Sequence, residues 1–252
     1  MQSKPFISAT IVLYQEDVNT VLQTIHSFLA IPFSKKLFLV DNSPKRFSSP
    51  EIIASKEVQY IYVGNNIGFA AANNLVIDEI KERSVYHLIL NPDVVFDTAV
   101  ISELVNVLGK DPQVAMIAPK ITYTNGLHQY SVRKYPLFFD LFIRRIGVLK
   151  ERIHQQEYRN SDLNKSFYPD VIHGCFQLYK TADFVALKGF DERYFLYMED
   201  VDICRKIDAM GKQKLYYPKV SITHVLKQGS SKNIKLFFYH LSSAIKYYLK
   251  WS

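Results

Sequence analysis

Strand-like apolar runs alternate with helix-like stretches through the first 123 residues, and three of those runs stop on Asp or Asn. FISATIVLY (6–14), KLFLVDNS (36–43), VQYIYVGNN (58–66), HLIL (87–90) and VAMIAPKITY (114–123) read as strands. Between them, Asp17 to Ala30 has helical spacing, with Val18, Val21, Leu22, Ile25 and Leu29 on one face and Asp17 or Asn19 as its cap. AAANNLVIDEIKER and Thr98 to Leu108 make two further helices. Such alternation predicts an α/β fold with a mainly parallel central sheet, right-handed crossovers and flanking helices. The stops Asp41, Asn65-Asn66 and Asn91-Pro92-Asp93 then share the carboxyl edge of the sheet, where open α/β sheets bind ligands.

Beyond residue 126 the chain turns polar, basic and irregular, with a helix expected at about 137–150 and a mobile loop at Tyr158 to Lys165. Order resumes with DVIHGCFQLYK (170–180) as a strand and TADFVALKGF as a short helix closed by Gly189. A helix-bearing segment (195–211), a strand (214–225) and an amphipathic tail helix follow. We expect one domain over 1–228, with a nucleotide-binding half (1–125) and an acceptor half (126–228) that carries a mobile basic insert at about 137–168. Residues 229–252 form the helical extension. At 252 residues and 48% apolar content, the chain can bury a full core. Two cysteines without metal spacing argue against a disulfide framework or zinc site and fit a reducing, cytoplasmic setting. No secretory leader or spanning apolar run is visible. The net charge of +7 suits an anionic partner: a phosphorylated substrate, a membrane surface or nucleic acid. No nucleic-acid recognition motif accompanies it, and the aromatics sit in apolar runs, so nucleic acid is the weakest of the three.

The polar stops have bland readings as well as chemical ones. Asn91-Pro92-Asp93 is a rigid corner that either turns the chain and caps the next helix or aims Asp93 at a hard divalent cation on a diphosphate. Asp41 is either a turn residue or an acceptor for a base or ribose. GNNIGFAAAN (64–73), with Asn66, Gly68 and Asn73, either lets backbone approach a ligand or packs helix on sheet. Glu199 and Asp200 lie at the start of a helix inside an aromatic run, as caps or as a desolvated base; Asp202, two residues on, must point elsewhere. His173 and His224, near strand ends, are structural or contact a metal or phosphate, and His224 follows a strand that can close the same crevice. Arg133 and Lys134 form a solvated basic face or touch phosphate.

Together ATIVLYQ, LVDNSP, VGNNIGFAAANN, LILNPDV and KGFDERYFLYMEDVDICRKI make residues 6 to 225 resemble a family 2 glycosyltransferase of the GT-A fold, in the bacterial rhamnosyltransferase-like branch. The resemblance implies that Asp41, Thr10 and Tyr14 bind the nucleotide. Asn91 and Asp93 would stand in the family's Asp-x-Asp motif, with Asp93 and His224 holding Mg²⁺ or Mn²⁺. It makes Asp200 the catalytic base of a Glu-Asp pair with Glu199. The implied activity is inverting transfer, best rhamnose from dTDP-rhamnose, to a glycan or lipid-linked acceptor during surface polysaccharide synthesis. A UDP-sugar donor, or an inactive sugar-nucleotide-binding scaffold, are the alternatives. Aromatic and basic residues of the tail suit either peripheral contact with the inner face of the cytoplasmic membrane or packing on the protein or in a homodimer.

Overall fold

The amino-terminal alternation becomes the frame of the molecule. In this computed structural model, which describes residues 6–137, 139–140, 149–225 and 234–252, β1 (Ile7–Leu13), β2 (Lys35–Asp41), β3 (Val58–Tyr62) and β4 (Tyr86–Leu90) are parallel. Their connecting helices are α1 (Val18–Leu29), α2 (Pro50–Ile53), α3 (Phe69–Asn74) and α4 (Ile77–Arg83). The chain continues through β5 (Val94–Val95), α5 (Thr98–Lys110), β6 (Val114–Thr122), β7 (Val132–Arg133), α6 (Lys150–Gln156) and β8 (Val171–Ile172). It ends with β9 (Phe176–Lys180), α7 (Thr181–Ala186), α8 (Glu199–Ala209), β10 (Gln213–His224) and α9 (Ile234–Trp251).

One eight-stranded sheet runs in the order β3-β2-β1-β4-β9-β6-β10-β5, and β7 pairs with β8 apart from it. β9 is antiparallel to both β4 and β6, and β5 is antiparallel to β10, so the other six strands point one way. The expected mainly parallel sheet flanked by helices is therefore present. Side chains alternate across each strand. Leu37 and Leu39 accordingly pack with Val21, Ile25 and Phe28 on one face, while Phe38 and Val40 pack with Ala70, Ala72 and Val76 on the other.

Several local expectations change. Asp17 does cap α1, through Thr20 N at 2.9 Å, but Val18 is exposed and Thr24 and Phe28 are buried in the inward stripe. The strand read over 170–180 is broken at His173-Gly174-Cys175 into β8 and β9. Most of the helix read at 137–150 falls outside the described residues, and α6 starts where that reading ended. The 158–165 loop is tied down: Tyr216 Oη donates to Leu163 O at 3.1 Å, and the Tyr158 and Phe167 rings are 5.2 Å apart. No helix among the described residues is long and apolar enough to cross a membrane.

Candidate active site

Because β4 and β9 are antiparallel neighbours, with Leu90 opposite Phe176, the end of one and the start of the other meet at the same sheet edge. There Asn91 N donates to Cys175 O at 2.9 Å. The following corner is clamped by α1: Thr24 Oγ1 donates to Pro92 O at 2.8 Å and accepts from Val94 N at 3.1 Å. The next helix is capped by Asp97 and not by Asp93: Asp97 accepts from Ala99 N at 2.8 Å. Asp93 is left to face His224, with Oδ1 3.2 Å from Nε2. The other ring nitrogen of His224 lies 3.0 Å from Gln129 Oε1, and Val225 N donates to Asp93 O at 2.9 Å.

The second carboxylate arrives from the other side of the same turn. Asp200 Oδ2 accepts from Gly174 N at 3.2 Å, and Oδ1 accepts from Val201 N at 2.9 Å. Asp93 and Asp200 thus flank the three-residue turn His173-Gly174-Cys175. Tyr197 and Met198, which lead into α8, both have left-handed backbone (φ 68° and 69°), a strained entry for non-glycine residues of the sort that collects at functional sites. As expected from their spacing, Asp202 points elsewhere: buried, it accepts from Tyr194 Oη at 3.1 Å, Lys250 Nζ at 2.8 Å and Trp251 Nε1 at 2.7 Å. Glu199 is buried too, and burial first, then the Asp200 charge beside it, pushes its carboxyl well above the ordinary carboxylate range. Its Oε2 has no partner among the described residues.

Charge is also concentrated behind the turn. Burial alone would lift the Cys175 thiol and lower the His224 imidazole. Their mutual attraction, joined by His173 at the thiol and Asp93 at the imidazole, outweighs that and moves the thiol down and the imidazole up.

Asp200 opens onto a cavity of about 100 Å³ whose walls include Arg133, Lys134, His173, Tyr197 and His240. Arg133 Nε is buried without a partner among the described residues, so a guanidinium donor is available on this wall.

The edge expected to meet a nucleotide is less open than the sequence suggests. Tyr14 stands exposed at the end of β1. Asn66 Oδ1 accepts from Gly68 N at 3.0 Å, and Asn42 Nδ2 donates to Gly68 O at 3.2 Å. Gly68 has φ +91°, and a Cβ there would lie 2.6 Å from Phe195 O, so only glycine lets this loop meet the segment before α8. Three of the expected nucleotide-contacting residues lie inside the protein. Thr10 is fully buried within β1, its hydroxyl 3.3 Å from His87 Nε2 in the middle of the sheet. Asn73 is fully buried with its amide donating to Phe69 O of its own helix at 2.9 Å. Asp41 is fully buried and accepts from Ser43 N at 2.9 Å, Phe47 N at 2.8 Å and Tyr60 Oη at 2.5 Å, and so braces the loop after β2.

Thr24, Gln129 and Cys175 were not singled out from the sequence. A signal existed for Thr24 alone: it is a polar residue on the apolar stripe of α1.

A metal at this edge would find two protein donors. Asp93 Oδ1 and His224 Nε2 are 3.2 Å apart, close to the separation of about 3 Å between adjacent corners of an octahedron with bonds of about 2.1 Å. Among the described residues no group of three or more His, Cys, Asp or Glu is arranged to hold an ion. The pair therefore fits an ion whose remaining ligands are diphosphate oxygens and water.

Comparison with known proteins gives a family match and a set of structural neighbours. The sequence model of Glycosyl transferase family 2 matches residues 8–184. Rhamnosyltransferase WbbL of Escherichia coli (strain K12) is 29% identical over 196 residues, covering 73% of this chain and 71% of that protein. The N-acetylglucosaminyl-diphospho-decaprenol L-rhamnosyltransferase of Mycobacterium tuberculosis (strain CDC 1551 / Oshkosh) is 27% identical over 179 residues, covering 66% of this chain but only 58% of that one. Among solved structures, GalNAc-T7 with UDP, GalNAc and Mn²⁺ overlaps with a TM-score of 0.68 at 17% identity, over 98% of this chain and 48% of that one. The mannosyltransferase PcManGT from Pyrobaculum calidifontis, with GDP-Man and Mn²⁺, gives 0.64 at 14% identity, over 99% and 65%. These overlaps give the chain a GT-A-like fold.

Proposed function

This chain belongs to glycosyl transferase family 2, and on that premise we propose that it moves a sugar from a nucleotide-diphosphate donor to an acceptor hydroxyl with inversion at the anomeric carbon. The observation that carries the reading is the pair of carboxylates, Asp93 and Asp200, on either side of the turn at His173-Gly174-Cys175. Asp200 accepts the proton of the acceptor hydroxyl as the oxygen attacks the anomeric carbon from the face opposite the leaving group. The backbone amides of Gly174 and Val201 hold its carboxylate in place for that transfer. Glu199, whose carboxyl is pushed well above the ordinary range by burial and then by the Asp200 charge, holds its proton more tightly than an ordinary carboxyl, and the base role stays with Asp200. Asp93 and His224 would hold Mg²⁺ or Mn²⁺, which when bound neutralises charge on the departing nucleotide diphosphate. Arg133 and Lys134 offer cationic donors on the acceptor side of Asp200.

The names of two relatives support rhamnose, and so dTDP-rhamnose, as donor; that of the mycobacterial relative supports a lipid-diphosphate-linked glycan as acceptor. A UDP-sugar is the second reading, favoured by the UDP in the GalNAc-T7 structure. Titration of dTDP-rhamnose, UDP-galactose and UDP-GlcNAc with and without Mn²⁺, followed by release of nucleotide diphosphate, separates the two. Asp200→Asn is expected to abolish turnover while donor binding persists. Turnover that survives the substitution moves the base elsewhere, and failure of every nucleotide-sugar to bind removes the proposal.

A further inference from the structure

α9 has two faces, and among the described residues only the inner one is packed on the protein. Its inner face is bound to α8 and the segment leading into it, which carry Asp200. Ser243, Ala244 and Tyr247 are buried, and Ser243 Oγ donates to Leu196 O at 2.9 Å. Arg205 Nε donates to Tyr247 Oη at 2.9 Å, and Lys250 and Trp251 reach the buried Asp202. His240 stacks within 4.8 Å of the Tyr197 ring and lines the cavity into which Asp200 opens.

The outer face is apolar. Ile234, Phe238, Ile245 and Leu249 are exposed by 61%, 60%, 45% and 76%. At about 100° per residue, these four positions fall within an arc of about 60°. Lys235 and Lys246 border that arc on one side, Lys235 beside the Tyr239 ring at 5.9 Å and Lys246 with its Nζ donating to Arg193 O at 2.7 Å, and α9 contains no Asp or Glu. The surface continues past the end of the helix. Tyr248 Oη donates to Pro136 O at 2.8 Å, and next to Pro136 the side chains of Leu137 and Phe139 are exposed.

We propose that this face of α9, with Leu137 and Phe139, seats the protein on an anionic lipid surface. An apolar stripe edged by lysines is the pattern of a helix lying in the plane of a membrane interface, with its cations at the headgroups. The charge pattern argues against a second copy as the occupant. Two such helices face to face would bring lysines together with no acidic side chain on either helix to answer them. The same helix forms a wall of the Asp200 cavity, so lipid contact would hold that cavity at the membrane surface, where a lipid-borne acceptor presents its sugar. That consequence rests on the acceptor reading above; the contact itself does not.

Co-sedimentation of the full chain with vesicles tests the contact without using turnover, so failure of one reading leaves the other standing. Vesicles of phosphatidylglycerol and phosphatidylcholine in equal parts should retain the protein, and pure phosphatidylcholine vesicles should retain about tenfold less. The double variant Phe238→Ser/Leu249→Ser should bind the anionic vesicles about tenfold more weakly with unchanged circular dichroism. Ile245→Gln, a milder change at an exposed position, should weaken binding in the same direction and guards against misfolding of the double variant. Binding that is equal for wild type and Ile245→Gln overturns the proposal. So does a wild type that ignores vesicles but forms a dimer in light scattering that the same variants break.

Discussion

Replacing Glu199 with Gln separates the burial of this side chain from its charge. Burial and the neighbouring Asp200 charge hold the Glu199 proton well above the ordinary value of 4.5. Above that value the unfolded chain releases the proton while the folded chain keeps it. The unfolded state then binds fewer protons, and stability falls as pH rises, by about 1.4 kcal/mol per pH unit, until the folded value is passed. Gln carries no such proton and has nearly the same shape. Above about pH 5 the wild type should therefore lose stability relative to Glu199→Gln for as long as the folded carboxyl keeps its proton, which for a chain of this size is about 3–6 °C in Tm per pH unit. Because Oε2 has no partner among the described residues, the new amide adds a constant offset of about 1 kcal/mol that does not change with pH. Thermal melts of both proteins at about pH 5, 6 and 7 give the difference directly. Two melting temperatures that move in parallel would mean that Glu199 is ionised in the folded protein, and the electrostatic account of the site would be refuted.

Asp200→Asn should lower kcat by about 10²- to 10⁴-fold while the donor Kd, from isothermal titration, stays within about twofold of wild type. Thr24→Val removes both hydrogen bonds to the 92–94 corner and should cost about 2–3 kcal/mol in urea unfolding, with a raised KM for the donor; an unchanged KM would separate α1 from the site. Since His224 must shed a proton held by Cys175 and Asp93 before it can ligate a metal, the Mn²⁺ concentration for half-maximal activity should fall as pH rises from about 6.5 to 9. Tyr60→Phe leaves Asp41 with its two backbone amides and should cost about 1–2 kcal/mol without altering nucleotide preference, as read from melts and a donor panel.

What was legible in the sequence follows the range of the interactions involved. The corner at Asp93 could be read locally, because a proline after an apolar run ends the ladder and Asp97 is better placed to cap the helix before Thr98. Asp200 and Asp202 could be told apart by helical spacing alone. Asp41 could not be read this way: the phenol that occupies it comes from β3, and pairing between strands decides that contact. The surroundings of Thr10 could not be read locally either, because β4 supplies the histidine beside its hydroxyl. The run through 170–180 looked continuous because Ile172 and Phe176 are both apolar, yet Gly174 leaves room for Asp200, with its Cβ position 3.4 Å from Asp200 Cβ. The tail left two readings open since its partners, Asp191 and Asp202, are far away in the chain.

The reversed strand β9 has a mechanical consequence. It is hydrogen-bonded to β4 on one side and β6 on the other, and it begins at the turn that Asp93 and Asp200 share. The sheet thus runs unbroken beneath the proposed site, and the two halves of the chain have no seam in it along which to swing apart. Entry and exit of reactants must then be governed by what lies above the sheet, the segment leading into α8 and the helix braced against it.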